Sequence, residues 1–167
     1  VYHISLAQWL ELTKQPPQKR HWKRTVEAIR EAAANGNEKE KDRLKPTLPA
    51  ITPSACHSEG QTRSPENLEA LTGFLQADID IDKNPHLPDA EAVKGALTQN
   101  PVIAFAALST SGKGVWALIP IAYAGTAFNR QFEQLKKDFY QTGINLDPVN
   151  GGNPQHLRLY SFDPNPY

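Results

Sequence analysis

The sequence predicts an α+β fold, namely a ferredoxin- or RRM-like palm with a helical extension ahead of it. After residue 70, four strand-like and two helix-like segments follow one another in the order β-α-β-β-α-β. Helical spacing dominates the first 46 residues instead, and a chain of 167 residues suffices for one compact domain. We therefore expect a helical extension at 1–46 and a palm domain at 47–167. The antiparallel sheet should carry both helices on one face and leave the other face open for a site.

The extension has the less regular pattern of the two parts. Apolar residues at helical spacing predict helices over residues 6–12 and 19–35, and one or two charged turns over 38–44. The proline-punctuated stretch 45–53 is expected to be extended, because proline lacks the amide donor that a helix needs. The polar stretch 54–66 is expected to be a loop.

The palm segments show clearer periodicity. Alternating or continuously apolar runs predict strands, and helical spacing predicts two amphipathic helices between them. The predicted strands cover residues 71–81, 102–108, 115–121 and 156–162, and the predicted helices cover 88–99 and 126–141. Residues 109–114 are expected to form the turn between the two middle strands.

Charge is balanced overall, with 18 Lys and Arg against 18 Asp and Glu, which argues against a wholly basic nucleic-acid binder. It is uneven along the chain, because residues 11–45 hold ten bases and six acids, whereas 59–91 hold two bases and eight acids. Four cations cluster around Trp22, namely Lys19, Arg20, Lys23 and Arg24. This basic cluster is either a solvated helix face with Trp22 turned inward or a surface that contacts the DNA backbone.

Other features of the composition bear on the compartment. The single cysteine, Cys56, cannot form an internal disulfide, and its neighbour His57 does not complete a metal site. No apolar run approaches the roughly 18 residues of a transmembrane helix, and no signal peptide is evident. We expect a cytoplasmic protein without membrane partners. The lack of Met and the abrupt ends suggest a domain excised from a longer chain.

The sharpest local feature is the run Asp78-Ile79-Asp80-Ile81-Asp82. Because side chains alternate along a strand, Asp78 and Asp80 should project from the same face. Two adjacent carboxylates repel each other and need a cation or basic partners. Hard oxygen ligands of this kind suit Mg²⁺ or Mn²⁺ held together with substrate phosphates. The alternative is an acidic strand end exposed to water.

A glycine-containing turn, Ser111-Gly112-Lys113-Gly114, lies between the two middle strands. Its glycines allow backbone N–H groups to converge on an anion, and Lys113 adds a positive charge. The turn could therefore bind the phosphates of a nucleotide, although the same residues also suit an ordinary hairpin. It is not a Walker A motif, since the first glycine and the following helix are missing.

Two further charged residues, Asp147 and Arg158, lie near the C-terminal end. An arginine in the middle of the last strand seeks a carboxylate or a phosphate, and a structural ion pair with an aspartate is an equally open alternative. In a β-α-β-β-α-β sheet the third and fourth strands both lie beside the first. The aspartate pair, the turn and these two residues could therefore surround one pocket suited to metal-assisted phosphoryl transfer.

The order Asp-x-Asp, Ser-Gly-x-Gly, Asp and Arg resembles the archaeo-eukaryotic primase superfamily. The closer similarity is to the VirE N-terminal-type, primase-like domain of bacterial replication and mobile-element proteins. It is carried within residues 44–167 by LKPTLPAITPSA before LTGFLQADIDID, and by STSGKGVWALIPI before LRLYSFDPNPY. The resemblance implies a catalytic core that joins nucleotides on a DNA template with two divalent metals. It assigns Asp78, Asp80 and Asp147 as catalytic metal ligands and residues 111–114 as the site for nucleoside triphosphate.

The resemblance also implies a fused or associated helicase, and it likens Lys45 to a family lysine that could reach phosphate. One position departs from the family pattern, because many members have a phosphate-binding histidine where this chain has Trp116. Indole offers one donor and no charge, so it cannot replace imidazole in that role. Two functions stay open: a primase-polymerase-like enzyme, and an inactive palm that binds DNA or nucleotide and recruits a helicase. A metal-dependent nuclease is a third.

Overall fold

The computed structural model describes residues 2–122, 127–149 and 151–167, and it has an α+β fold with helices at its N-terminus. The helices are α1 (Leu6–Lys14), α2 (Trp22–Ala34), α3 (Glu38–Leu44), α4 (Ala90–Leu97) and α5 (Phe128–Gln141). The strands are β1 (Ala50–Ile51), β2 (Ala55–His57), β3 (Leu68–Leu71), β4 (Phe74–Asp80), β5 (Phe105–Leu108), β6 (Gly114–Pro120) and β7 (Arg158–Leu159). Within the described residues, no helix has both the length and the apolar character that are needed to cross a bilayer.

The N-terminal helices follow the predicted pattern. Ser5 begins α1 with a capping box, in which its hydroxyl accepts from the Gln8 N–H and the Gln8 side chain accepts from the Ser5 N–H. Helix α2 buries Val26 and Ile29, which recur at helical spacing. The chain then makes a 3₁₀ turn at Lys45–Thr47, so the expected extended stretch begins only after this turn.

The centre of the fold is a three-stranded antiparallel sheet in the order β4-β6-β5. Strand β6 therefore lies in the middle, and Asp78 of β4 is directly opposite Trp116 of β6. The elements from β4 to α5 follow one another as β-α-β-β-α, as predicted. Thr126, the predicted first residue of the second palm helix, lies outside the described residues, and α5 is described from Phe128.

The last predicted strand, over residues 156–162, was wrong in extent and in partner. Only Arg158–Leu159 is a strand, and it pairs with β1 instead of lying beside β4. The edge of β4 is partly occupied by another segment, because the Asp147 N–H donates to the Asp78 carbonyl oxygen at 2.9 Å. The C-terminal segment contacts β4 through side chains instead: Gln76 Nε2 donates to the His156 carbonyl oxygen at 3.1 Å, and Arg158 Nη2 donates to Asp78 Oδ2 at 2.8 Å.

Alternation along the strands gives the sheet two different faces. Residues on one face pack against α4 and α5 and form the main hydrophobic core, as the amphipathic helices predict. The core residues from the sheet are Ala77, Ile79, Ala106, Leu108, Val115, Ala117 and Ile119, and those from the two helices are Ala90, Val93, Leu97 and Phe139. This face corresponds to the helix-covered face that the sequence predicts.

The other face is covered as well, which corrects the expectation of an open face. Phe105, Trp116 and Leu118 lie on it and pack against Leu6 and Leu10 of α1. An adjoining core joins the N-terminal helices to the C-terminal segment through Trp9, Val26, Ile29, Leu48 and Tyr160. The reason lies in the composition of β5 and β6, where both alternate positions are apolar and both faces gain free energy from burial. The domain boundary at residue 46 stays a prediction.

Residues 54–66 are not entirely the loop that their polarity predicts. Ala55–His57 form β2, which pairs antiparallel with β3. A strand as short as β2 has too few positions for a period-two pattern to be recognised.

The predicted strand over residues 71–81 is interrupted at Gly73, which has a φ of 83°, and β4 begins only after this residue. Glycine adopts this left-handed conformation at little cost, so the chain can turn here.

Candidate functional site

Three carboxylates gather at the end of β4, and we term Asp78, Asp80 and Asp147 the acidic site. Asp78 and Asp80 lie two residues apart on the strand and hence on one face of it. Asp147 comes from the segment after α5, and its backbone N–H donates to the Asp78 carbonyl oxygen at 2.9 Å. The structure therefore brings together the three aspartates that the sequence analysis grouped.

A buried asparagine stabilises this arrangement. Asn84 Nδ2 donates to the carbonyl oxygens of Asp80 at 2.9 Å and Asn145 at 3.0 Å, and Asn84 Oδ1 accepts from the Asn145 N–H at 2.7 Å. Asn84 is fully buried, so these bonds satisfy polar atoms that water cannot reach. They tie the end of β4 to the segment that carries Asp147.

Asp78 forms a buried ion pair with Arg158. Arg158 Nη2 donates to Asp78 Oδ2 at 2.8 Å, and the two side chains are only 10% and 11% exposed. The guanidinium lies 5.5 Å from the centroid of the Trp116 ring, and its Nε donates to Gln76 Oε1 at 3.4 Å. Burial raises the pKa of Asp78, the charge and hydrogen bond of Arg158 oppose this shift, and the other two carboxylates add to it, so the pKa lies above its ordinary value. Of the two partners that the sequence allows for Arg158, a carboxylate or a phosphate, the structure shows the carboxylate of Asp78.

Lys83 bridges the other two carboxylates. Its Nζ lies 2.8 Å from Asp147 Oδ2 and 3.2 Å from Asp80 Oδ2. The hydrogen bond to Asp147 raises the pKa of Lys83, and the bond to Asp80 adds to that shift. The Lys83 side chain is 55% exposed, whereas that of Asp147 is 9% exposed. Two oxygens from distant segments thus converge on one cation at the edge of the site.

The donor set fits one divalent cation at this position. Asp80 and Asp147 offer the hard oxygens that Mg²⁺ and Mn²⁺ prefer, and their Oδ2 atoms already share one cationic partner. Asp78 does not join them here, because Arg158 engages its Oδ2. Across the residues that the structure describes, no three His, Cys, Asp or Glu side chains are arranged to hold a metal. A second cation would therefore compete with Arg158 for the Asp78 carboxylate.

The hairpin between β5 and β6 lies against the acidic site. The Ile81 N–H donates to the Lys113 carbonyl oxygen at 3.1 Å, and Gly114 is paired with Asp80 in the β4–β6 register. The Lys113 side chain is exposed, and its Nζ lies 4.0 Å from Asp82 Oδ2. The predicted proximity of residues 111–114 to the aspartate pair is therefore present.

The hairpin uses part of its own backbone for the turn. The Ser109 N–H donates to the Gly114 carbonyl oxygen at 2.8 Å, and the Gly112 N–H donates to the Ser109 carbonyl oxygen at 3.0 Å. Gly112 has a φ of 72°, which glycine adopts without steric cost. Because the Gly112 N–H is engaged, the Ser111 hydroxyl and the Lys113 ammonium are the better candidates for binding a phosphate.

Gly114→Ala should destabilise the domain at this contact. A Cβ at residue 114 would lie 2.5 Å from the Ile79 carbonyl oxygen, a backbone atom that cannot move without disturbing the β4–β6 pairing. We expect the free energy of unfolding in urea to fall by about 1–3 kcal/mol, as for other overpacked sites. Gly95→Ala in α4 is the control, since a Cβ there meets nothing within 4 Å, and it should add about 0.5–1 kcal/mol. Wild-type stability of Gly114→Ala would contradict the close approach.

Helix α2 reaches the hairpin through Arg30. Its Nη2 donates to the carbonyl oxygens of Phe162 at 2.7 Å and Ser109 at 3.2 Å. Its side chain also fills the space beside Gly112, where a Cβ would lie 3.3 Å from Arg30 Cδ. Burial lowers the pKa of Arg30, and the charge of Asp163 opposes this shift. Arg30 thus places a cationic side chain behind the hairpin and joins it to the C-terminal segment.

The basic cluster lies at the start of α2, and its four side chains, Lys19, Arg20, Lys23 and Arg24, are exposed. Lys23 Nζ is 3.8 Å from Glu27 and 4.8 Å from the centroid of the Phe162 ring, so its contacts are local. Trp22 is partly buried against the N-terminal core, in line with the solvated-face interpretation. Contact of the cluster with DNA stays a prediction.

Lys45 lies at the junction of α3 and the 3₁₀ turn. Its Nζ is 3.8 Å from Asp42 Oδ1, a pair in adjacent turns at the surface. Such a pair contributes little free energy, so it would not prevent Lys45 from binding an anion. Its contact with phosphate also stays a prediction.

Three residues that shape the site were not predicted from the sequence, namely Arg30, Lys83 and Asn84. Arg30 follows Val26 by four positions, so helical spacing places it on the same side of α2. Lys83 follows Asp80 by three positions, which is the spacing of a single tight turn. Asn84 carries no comparable signal, because its partner Asn145 comes from a distant segment.

A family model described as BT4734-like, N-terminal domain, matches residues 43–148, which is more than half of the chain. The matched range contains the acidic site and the hairpin, whereas α1, α2 and Arg158 lie outside it. No curated protein and no solved structure gives a significant match.

Proposed function

The chain belongs to the BT4734-like N-terminal domain family, and we propose that it is a primase-polymerase-like nucleotidyltransferase domain. In this proposal the acidic site holds Mg²⁺ or Mn²⁺, a nucleoside triphosphate binds between that site and the hairpin, and DNA primer and template lie alongside. The observation that carries the proposal is the convergence of Asp80 and Asp147 on one cation position next to the hairpin. The context would be replication of bacterial or mobile-element DNA, with a fused or associated helicase as partner.

Each group has its own task in this proposal. Asp80 and Asp147 would hold the cation through their carboxylate oxygens. A bound Mg²⁺ or Mn²⁺ supplies charge neutralisation for the triphosphate and lowers the pKa of the attacking hydroxyl. Ser111 and Lys113 would bind phosphate oxygens, and Arg158 would offset developing charge while it stays paired with Asp78. The basic cluster would guide the backbone of the template.

Two observations favour a second function, a palm that binds DNA or nucleotide without catalysis and recruits a helicase. The Asp78 carboxylate is already neutralised by Arg158. Trp116 is buried with its Nε1 donating to Ser161 Oγ at 3.3 Å, so it offers no charge to a triphosphate. DNA affinity that falls steeply with salt and is indifferent to Mn²⁺ and nucleotide would select this function.

Isothermal titration of a nucleoside triphosphate, with and without Mn²⁺, tests the enzymatic proposal on wild type and Asp80→Asn. We expect wild-type binding to require Mn²⁺ and Asp80→Asn to weaken it, because asparagine keeps the shape of the side chain and removes its charge. Primer extension by the variant should fall on the order of 100-fold or more, since charge neutralisation at a metal site is worth several kcal/mol.

Asp138→Asn is the matched control, because the Asp138 carboxylate is exposed on α5 and its hydrogen-bond partner is Gln134. This control should extend primers at the wild-type rate. Undiminished extension by Asp80→Asn would overturn the proposal, and shortening of the primer would instead indicate a nuclease.

A further inference from the structure

We propose that Lys83 is an exchangeable counterion, which occupies the cation position of the acidic site until a divalent metal displaces it. This inference rests on the proposed function, since it concerns the same carboxylates. It assigns to Lys83 a direct part in controlling the metal affinity of the site.

The same oxygen atoms serve both cations. Lys83 Nζ contacts Oδ2 of Asp147 at 2.8 Å and Oδ2 of Asp80 at 3.2 Å. A metal bound by these oxygens would take the position of the ammonium, so the two cations exclude each other. Without either cation, the two carboxylates would repel each other across the site. Lys83 therefore allows the site to assemble before metal arrives.

Lys83 is also able to leave this position. Its side chain is 55% exposed and ends in an ammonium on a flexible four-carbon stem. Arg158 provides the contrast, because its side chain is 10% exposed and lies over the Trp116 ring. Of these two cations, Arg158 is held by its surroundings, whereas Lys83 can rotate into solvent.

Displacement would bring Lys83 close to the nucleotide. Lys83 ends the short 3₁₀ turn Ile81–Lys83, and the Ile81 N–H is bonded to the carbonyl oxygen of Lys113 in the hairpin. A displaced ammonium at this point can neutralise a phosphate held by the hairpin. Loss of the Lys83 charge should therefore have two effects of opposite sign, namely tighter metal binding and weaker nucleotide binding.

The experiment compares Mn²⁺ binding to wild type, Lys83→Met and Lys113→Met by electron paramagnetic resonance. Lys83→Met should bind Mn²⁺ roughly tenfold more tightly, because two partly exposed ion contacts no longer compete with the metal. At saturating Mn²⁺ it should bind nucleoside triphosphate severalfold more weakly. Lys113→Met removes the same charge from the neighbouring hairpin and should change the Mn²⁺ affinity less than about twofold.

Thermal unfolding gives a second readout. Mn²⁺ should raise the Tm of Lys83→Met by more than that of wild type, because a tighter ligand stabilises the folded state more. Lys83→Arg is a second variant, in which the planar guanidinium can donate to both carboxylates at once. It should bind Mn²⁺ more weakly than wild type does. This variant tests the inference even if Lys83→Met fails to fold.

The outcomes separate this inference from the proposed function. Unchanged or weaker Mn²⁺ binding by Lys83→Met, together with metal-dependent extension by wild type, overturns the role of Lys83 alone. Failure of every variant and of wild type to bind Mn²⁺ overturns both. Tighter Mn²⁺ binding by Lys83→Met without any primer extension supports the counterion and removes the enzymatic function.

Discussion

Arg158→Met should lower the free energy of unfolding by about 3–5 kcal/mol, because it leaves the Asp78 carboxylate buried without its partner. The two side chains meet at 2.8 Å and are 10% and 11% exposed, so water cannot replace the lost guanidinium. Methionine retains apolar volume over Trp116, and the loss should therefore report the charge more than a cavity. Urea denaturation near neutral pH measures it.

The pH dependence distinguishes a buried charge from lost packing. Burial raises the pKa of Asp78 above its ordinary value of 3.8, so the folded protein binds this proton more tightly than the unfolded chain does. Stability from this group therefore declines as pH rises through the interval between the unfolded and the folded pKa. Loss of Arg158 raises the folded pKa further. The difference in stability between wild type and Arg158→Met should consequently shrink as the pH is lowered from about 7 towards 4.

The double variant Asp78→Asn/Arg158→Met is the control for this prediction. It removes both charges and should recover much of the loss, since no unpaired ion is then buried. A loss below about 1 kcal/mol for Arg158→Met alone would be typical of a surface pair and would contradict the buried pair.

Asp163→Ala should cause a loss of similar size, about 3–5 kcal/mol, because it strands a buried lysine and two backbone donors. Asp163 Oδ2 accepts from Lys94 Nζ at 2.8 Å and from the Leu108 N–H at 2.9 Å, and Oδ1 accepts from the Asn165 N–H at 2.9 Å. Asp163 is fully buried and Lys94 nearly so. The carboxylate thus anchors the C-terminal segment to the outer edge of β5, where Ala106 also exchanges backbone hydrogen bonds with Tyr167 at 2.8 and 3.2 Å.

The pH profile of this variant should differ from that of Arg158→Met. Burial would raise the pKa of Asp163, but the hydrogen bonds from Lys94 and the two backbone donors outweigh it and hold the pKa below 3.8. A depressed folded pKa gives stability that is present above the unfolded pKa and is lost as pH falls through the folded pKa. The difference between wild type and Asp163→Ala should therefore hold from about pH 8 to 5 and shrink only below about pH 4.

Glu91→Ala is the matched control for Asp163→Ala. The Glu91 carboxylate also contacts Lys94 Nζ at 2.8 Å, but it is exposed. We expect a loss of less than about 1 kcal/mol for this variant. Equal losses for the two variants would show that burial of Asp163 does not govern its contribution.

Local periodicity was sufficient to predict most elements of the palm. The alternation of Asp and Ile predicted a strand with an acidic and an apolar side, and Ile79 is in the core while Asp78 faces Arg158. Phe128, Phe132 and Phe139 of α5 recur at helical spacing and are all buried. These signals lie within single elements, so a reading of neighbouring residues can detect them.

Contacts between distant segments followed less directly from the sequence. Alternation placed Asp78 and Asp80 on one face, but it could not show that α1 covers that side of the sheet or that the last strand pairs with β1. Both outcomes depend on which of several apolar surfaces and strand edges are buried together.

Residue patterns within single segments predict the acidic strand, the glycine-containing hairpin and the helices that build the core. The pairing of Arg158 with Asp78, and the contact of Lys83 with both Asp80 and Asp147, became evident only from the folded chain. Charge pairing depends on distance and on the surrounding dielectric. Both are set by the packing of segments that lie far apart in the chain.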